Sequence, residues 1–344
     1  MEEHLTLVTK ERSYLRRIIE DTRRQIPDDQ QLGRHQVNSY DGLAHYSFDF
    51  AQQLQFPSNP LQPGPIFFKV PRKCGLFGVN CEALLRQINY LIDESVCIGK
   101  GADCVISLLH HFFENFGIGE KHLHLHADNC SGQNKNSAML HYLLWRVMTG
   151  RHSSARLSFL ITGHTKFAPD GGFGLVKRLY RRTEVNSLAE LSSCVTSSSK
   201  MNHVQQCGDE AGNVFVQSHQ WTTYLLKFFN KLNGILKYQH FEMMDNRTVR
   251  VRVSCDSTEE KEFHLLKPKI KLPQIQSSFP SPKDPAGLTA ERKKYLFHDI
   301  RQFVSDRYKD IVAPEPEPEQ TDPIPRAGPS TEPSEKPPKK KKKA

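Results

Sequence analysis

Between His45 and Arg182 the apolar residues change period again and again, from two to about 3.6 and back, which limits the architectures open to the chain. His45-Tyr46-Ser47-Phe48-Asp49-Phe50 alternates polar and aromatic residues. Pro65 to Val70 follows a Pro/Gly-rich turn, and Gly75 to Cys81 follows a Pro-Arg-Lys-Cys break. Three strands with short links are expected there, paired as an antiparallel meander. Val105, Ile106, Leu108, Leu109, Phe112, Phe113 and Phe116 then mark one face of a helix that stops at Gly117. His122 to Asp128 reads as a strand. Met139, Leu140, Leu143, Leu144, Val147 and Met148 give a second helix ending at Gly150, Arg156 to Gly163 a further strand, and a third helix is expected from near Asp170 through Gly174 to Arg182.

The order strand, strand, strand, helix, strand, helix, strand, helix is that of an RNase H-like fold rather than of a doubly wound sheet. The expected class is therefore α/β: a mixed sheet of three antiparallel strands plus two further strands, flanked by helices, with a C-terminal extension. Four segments follow. Residues 1–38 form a helical lead-in with Leu5, Leu7, Leu15, Ile18 and Ile19 at helical spacing, and 39–185 form the core. Residues 186–312 form an α+β extension, in which Ser192 to Ser199 reads as a loop. It continues through a Trp-bearing helix and a hairpin (Thr248 to Ser254, Lys261 to Leu266), and ends in a helix from Leu288 to Val312 with Thr289 as cap. Residues 313–344 are Pro, Glu, Ser and Lys and cannot form a core.

Such a core works by holding two divalent ions, Mg²⁺ or Mn²⁺, about 4 Å apart on carboxylates from the first strand, the fourth strand and the last helix. Asp49, Asp128 and Asp170 occupy those three places. Asp128 ends a strand and leads through Asn129-Cys-Ser-Gly-Gln-Asn-Lys-Asn into a helix; its bland alternative is a cap for that helix, a task open equally to Ser131 or Asn134. Asp49 faces away from the aromatic side of its strand, where an Asp is intrinsically disfavoured. Asp170 follows Pro169 where an N-cap would stand, and Glu184 competes with it as third acid. His164 is a further candidate metal ligand, with Asn129, His126 and Gln133 in support. Lys135, Lys166, Lys177, Arg178, Arg181 and Arg182 flank the acids and suit phosphate contact, or else form the solvated face of a helix.

A different chemistry competes for the same strand. His122, His124 and His126 share a face with Asp128 by the period of two, and His124-x-His126-x-Asp128 is similar to the zinc motif of metallo-β-lactamase-type hydrolases, although Asn129 stands where that motif has a final histidine. A third reading makes the chain a catalytically silent nucleic-acid-binding or interaction protein left by a decayed mobile element.

Charge and cysteines narrow the setting. The 47 Lys and Arg against 38 Asp and Glu give a net charge of +9, which favours DNA as a partner, although much of the excess lies in the terminal lysines. Self-association is left open. The eight cysteines form no Cys-x-x-Cys pair and no recognisable signal peptide precedes them, so reduced, intracellular thiols are expected. No apolar run is long enough for a membrane span. Pro337-Pro338 followed by Lys339 to Lys343 reads as a nuclear address.

The strings HYSFDFAQQ, PGPIFFKVPRKCGLFGV, HLHLHADNCSGQNKN, GHTKFAPD, FGLVKRLYRRT and AGLTAERKKYL resemble a family of animal mobile-element proteins described as a domain of unknown function. That family is regarded as a transposase-like RNase H core. The resemblance spans roughly residues 40 to 312. It implies a divalent-metal-dependent polynucleotidyl transferase or nuclease acting on DNA. It supports Asp128 with Asn129, Asp49, and His164 with Asp170 as site residues. Relatives are often longer at the N-terminus, so a separate DNA-recognition module is not expected here, nor is autonomous transposition.

Overall fold

The computed structural model describes residues 2–61, 64–164, 166–244 and 247–316. The terminal lysine run and nearly all of the Pro/Glu/Lys tail lie outside them. The chain opens with helix α1 (Glu2–Gln25). Strands β1 (Tyr40–Phe50) and β2 (Leu54–Phe56) come next, then β3 (Arg72–Cys81) and β4 (Arg86–Asp93). Helix α2 (Ala102–Asn115), β5 (Glu120–Ala127), α3 (Ser137–Met148), β6 (Ser154–Phe159) and α4 (Ala168–Tyr180) complete the expected core. Beyond it lie α5 (Leu188–Ser197), β7 (Asn202–Gln206), α6 (Trp221–Leu225), β8 (His240–Met243), β9 (Thr248–Arg252) and β10 (Lys261–His264). Two short helices, α7 (Leu272–Gln276) and α8 (Ala290–Tyr295), follow.

Among the described residues the strands form one mixed sheet in the order β10-β9-β8-β6-β5-β1-β3-β4-β7, with β2 on β3. At its centre β1 runs parallel to β5 and antiparallel to β3, β5 is parallel to β6, and β3 is antiparallel to β4. The extension does not build a separate layer. Its β7 adds in parallel to β4 on one edge, while β8, β9 and β10 add an antiparallel run to β6 on the other.

The two faces of the sheet differ because the strands alternate. Ala44, Tyr46 and Phe48 of β1, Leu123, Leu125 and Ala127 of β5 and Ala155, Leu157 and Phe159 of β6 join the main apolar core with α2, α3 and α6. The opposite face carries His45, Ser47 and Asp49 beside His124 and His126, covered by α1 on one side and α4 on the other. A second apolar cluster there joins Leu76 and Leu91 to Phe173 and Val176 of α4 and Leu188, Leu191 and Val195 of α5.

Several expected elements are corrected. Pro65 to Val70 is not a strand: Gly64–Phe68 is a 3-10 turn whose Phe67 and Phe68 rings are 65% and 83% exposed, with no buried face to pair. The third core strand is instead β4, which lies between β3 and β7. The serine-rich stretch is helical, because Ser187 accepts from the Glu190 N–H as N-cap and Leu188, Leu191, Cys194 and Val195 are buried on one side. The last expected helix is interrupted rather than continuous. Thr289 does cap it, accepting from the Arg292 N–H, but after Tyr295 it passes through a π turn (Leu296–Ile300) and a 3-10 turn, breaks at Val304, and resumes as a 3-10 turn (Asp306–Tyr308) and a single helical turn, α9 (Lys309–Val312), that reaches the expected end.

Candidate metal-binding carboxylate site

In the parallel register His45 lies opposite His124 and Ser47 opposite His126. One step further, Asp49 stands level with Asp128, just past the end of β5, on strands about 4.8 Å apart. Asp170 arrives from the first turn of α4. That helix can come so close because it rests on glycine: a Cβ on Gly78, the cross-strand partner of Asp49, would lie 2.7 Å from the Phe173 ring, and one on Gly172 would lie 2.4 Å from the Gln87 side chain. Any larger residue at either place would push α4, and Asp170 with it, off the strand.

Asp49 feels the other two acids. Burial, followed by the negative charges of Asp128 and Asp170, pushes the Asp49 carboxyl up to about 7, against the opposing effect of the Phe50 N–H and Lys100. Each acid is fixed through one oxygen. Asp49 Oδ1 accepts from the Phe50 N–H at 2.7 Å. Asp128 Oδ1 accepts from the Cys130 N–H at 3.0 Å and from Asn134 Nδ2 at 2.6 Å. Asp170 Oδ2 accepts from the Phe167 N–H at 3.1 Å. The second oxygen of each has no hydrogen bond among the described residues. Asp128 does not cap the following helix, for Asn136 does so by accepting from the Met139 N–H. Asp170 does help to cap α4, so its bland role is real.

Among the described residues no three His, Cys, Asp or Glu side chains stand in a group that could hold a metal ion as they are placed. The chemistry of the donors is that of a hard cation: Asp128 and Asp170 lie near enough to act on Asp49 by their charge, each acid keeps one oxygen without a hydrogen bond among the described residues, and positive charge between them would favour the ionised form of all three. Lys100, in Gly-Lys-Gly at the start of α2, is a cation acting on Asp49, and its Nζ lies 5.1 Å from the centre of the Phe50 ring. Sequence reasoning passed over it, although a lysine between two glycines at a helix start was a visible signal.

The other candidate residues are placed differently. Asn129 donates to the Leu160 carbonyl and accepts from Lys135 Nζ at 2.8 Å, while Lys135 also donates to Gln239 and is only 3% exposed. Lys135 thus buttresses the loop from inside, and burial lowers its ammonium to about 8. Gln133 lies half-buried in the same loop. His164 turns to α1: its carbonyl accepts from Arg12 and its ring packs on His4 at 5.3 Å. Lys166 is exposed. Lys177, Arg178, Arg181 and Arg182 lie roughly 10 to 18 Å along the axis of α4 from Asp170, with only Lys177 half-covered. Glu184 is exposed beyond that far end and accepts from Asn186 Nδ2.

The histidines of β5 are engaged by side chains of the neighbouring strands β1 and β6. His126 Nδ1 meets His45 Nε2 at 2.7 Å, and His124 Nε2 meets Ser158 Oγ at 2.8 Å. Ser158 meets His240 Nδ1 at 2.9 Å, and His240 Nε2 meets Glu11 Oε2 of α1 at 2.9 Å. His122 pairs with Ser154. The His124-x-His126-x-Asp128 pattern therefore does not bring two imidazoles and a carboxylate to one ion.

The model of a family described as a domain of unknown function (DUF7869) matches residues 86–261, from β4 to the first residue of β10, which takes in Asp128 and Asp170 but not β1 with Asp49. No curated protein and no solved structure matches.

Proposed function

The chain belongs to the DUF7869 family, and we propose that it is a divalent-metal-dependent nuclease or polynucleotidyl transferase core of transposase type acting on DNA phosphodiesters. The observation that carries this reading is the placing of Asp49 level with Asp128 and within electrostatic reach of Asp170, where burial first and then these two charges raise its carboxyl to about 7. Support comes from the strand order β4-β3-β1-β5-β6 at the centre of the sheet, with β1 parallel to β5 and antiparallel to β3, the arrangement an RNase H-like core requires.

Mg²⁺ or Mn²⁺, when bound, would activate the attacking hydroxyl and stabilise the leaving oxygen. Asp49 and Asp128 would hold it from adjacent strand ends, and Asp170 from α4. Asp49 must lose its proton first, so occupancy is coupled to proton release near neutral pH. Cys130 N–H and Asn134 fix the rotamer of Asp128, keeping its free oxygen aimed away from the loop. Lys100 and the exposed bases of α4 provide positive charge for the phosphate backbone.

The test is cleavage or strand transfer on supercoiled plasmid with Mg²⁺ or Mn²⁺, together with calorimetric Mn²⁺ titration. Asp128→Asn should lower the rate by roughly a thousandfold, about 4 kcal/mol, and remove metal binding while melting as the parent does. Equal Mn²⁺ affinity in the two proteins would overturn the reading and favour a silent binding protein. Nuclear residence is part of the same proposal and rests on Lys339 to Lys343; deletion of 336–344 from a fluorescent fusion should move it to the cytoplasm.

A further inference from the structure

Across β6, β8, β9 and β10 the sheet face that meets α1 carries a row of charges. In register, Arg156 of β6 stands opposite Glu242 of β8, Glu242 opposite Arg250 of β9, and Arg250 opposite Glu262 of β10, so basic and acidic side chains alternate. On the same face, two residues further along β9, Arg252 stands opposite His240. Cross-strand pairs of this kind stabilise a sheet modestly, and with every charge answered the row would be an ordinary ladder.

The hydrogen bonds leave several donors over. Glu242 accepts from Arg156 Nε at 2.7 Å and stands 3.7 Å from Arg250 Nη1. Arg250 turns Nε and Nη2 to Glu262 at 3.3 and 3.2 Å. Arg252 reaches only Glu260, at 3.7 Å from its Nε. The Nη atoms of Arg156 and Arg252 thus have no hydrogen bond among the described residues. All three guanidiniums are partly open to solvent and line one cavity of about 130 Å³, with Glu242 as the single acid of that lining. Tyr14 of α1 lines it too. Its ring meets His240 edge-on at 5.1 Å, and its hydroxyl has no hydrogen bond among the described residues. Glu260 and Glu262 are exposed and outside the lining, where water and salt screen them, and Glu11 is engaged by His240 and the Cys255 N–H.

We infer that this cavity is a binding site for a phosphate-type oxyanion, held by the free Nη groups of Arg156 and Arg252, by Arg250 and by the Tyr14 hydroxyl. Three guanidiniums around one carboxylate leave an excess of positive charge, and the forked N–H groups of arginine match paired phosphate oxygens. The volume lies well under the roughly 300 Å³ at which pockets for organic ligands begin, so the cavity admits one small group and leaves whatever is attached to it outside. Arg156 is level with His124, four residues before Asp128 and so about 13 Å back along the strands. The site is therefore separate from the carboxylates, and the inference does not rest on how they are read. A free phosphate and a phosphodiester of a nucleic-acid backbone offer the same chemistry, and they are told apart by what competes for the arginines.

The experiment titrates inorganic phosphate into the full chain by calorimetry, in EDTA and at fixed ionic strength. One phosphate should bind per chain. Arg252→Gln should weaken it roughly tenfold, since it removes a charged donor whose side chain makes no hydrogen bond in the fold, and Tyr14→Phe roughly threefold, since it removes the hydroxyl and keeps the ring on His240. Tyr14→Phe keeps the test valid if Arg252→Gln lowers the melting temperature. Absence of saturable binding, or parent-like affinity in both variants, would overturn the site. Anisotropy of an end-labelled DNA duplex then assigns the source. Duplex affinity that falls in Arg252→Gln and is competed by inorganic phosphate makes the ligand a backbone phosphate, whereas duplex binding that is absent or unmoved by the substitution makes it a free phosphate.

Discussion

At His45 and His124, β1 and β5 carry imidazoles side by side, stacked at 4.6 Å and 12°; two rungs further along the same strands and on the same face, they carry Asp49 and Asp128. The first place is sealed. Glu11 of α1 accepts from His240, whose Nδ1 then accepts from the Ser158 hydroxyl, whose oxygen in turn accepts from His124, so each proton in this chain has one assigned place. Burial keeps His45 and His124 well below their usual range, hence neutral. The second place is left open: three acids, one free oxygen each, and one carboxyl held near 7 by burial and its neighbours. Identical strand geometry therefore supports two roles. What separates them is charge: the buried imidazoles are neutral and linked through their Nε2 atoms, with only Nδ1 of His45 and of His124 lacking a partner among the described residues, whereas the acids share an unanswered negative charge.

The largest effect expected on the sealed side comes from Glu11→Ala. Glu11 is 3% exposed and serves both His240 and the Cys255 N–H, so its loss strands one buried donor and one half-buried donor. Urea unfolding should show about 2–4 kcal/mol of destabilisation, with α1 loosened. Mn²⁺ affinity of the folded protein should stay as it was. A parallel loss of metal affinity would break the comparison, since the histidine network would then be supporting the acids.

On the open side the effect is smaller and depends on pH. The folded pKa of Asp49 lies above its unfolded value, so between about pH 4 and pH 7 the native state holds a proton that the unfolded chain has released. Its contribution to stability is fully present below that window and is lost as the pH rises through 7. Asp49→Asn removes the titration. In the absence of metal it should be more stable than the parent by about 1–3 kcal/mol at pH 8 and level with it at pH 4. A variant that is less stable at pH 8 would show that Asp49 is an ordinary hydrogen-bonded carboxylate. Magnesium should reverse the order, because the parent alone then gains binding energy.

The two places were not equally legible in the sequence. β1, α2, β5, α3 and α4 stood out because their periods are clean, and Asp49 and Asp128 followed from strand position. The partners did not. Glu11 and His240 are 229 residues apart, and no local pattern announces that α1 lies across the sheet face. β4 went unread because its polar members Gln87 and Asn89 are buried, facing α4 and Asn202, so the strand lacks the wet side that alternation usually signals. Leu188 to Ser197 was hidden by serine content, although Ser187 caps it and its apolar residues repeat at helical spacing. Pro65 to Val70 erred in the opposite direction, as its apolar residues are exposed rather than paired.

The smallest expected effect decides the third acid. Asp170 has two roles in one side chain: Oδ2 accepts from the Phe167 N–H at the helix start, and its charge is among the causes that raise Asp49. Asp170→Asn separates them, because the amide oxygen can still accept from Phe167 while the charge is gone. Melting should therefore change little, since a cap that keeps its acceptor keeps most of its worth of about 1 kcal/mol. Mn²⁺ affinity should fall roughly tenfold, less than at Asp128, because α4 contributes from one side while the strand ends still supply two carboxylates. The ionisation of Asp49, followed by the carboxyl carbon in NMR titration, should move to lower pH as one like charge leaves. Glu184→Gln is the counterpart: exposed past the far end of α4 and bonded to Asn186, it should alter neither metal affinity nor the Asp49 titration. If instead Glu184→Gln weakens Mn²⁺ binding and Asp170→Asn does not, the third carboxylate comes from the end of α4, and Asp170 belongs with the sealed residues as a cap alone.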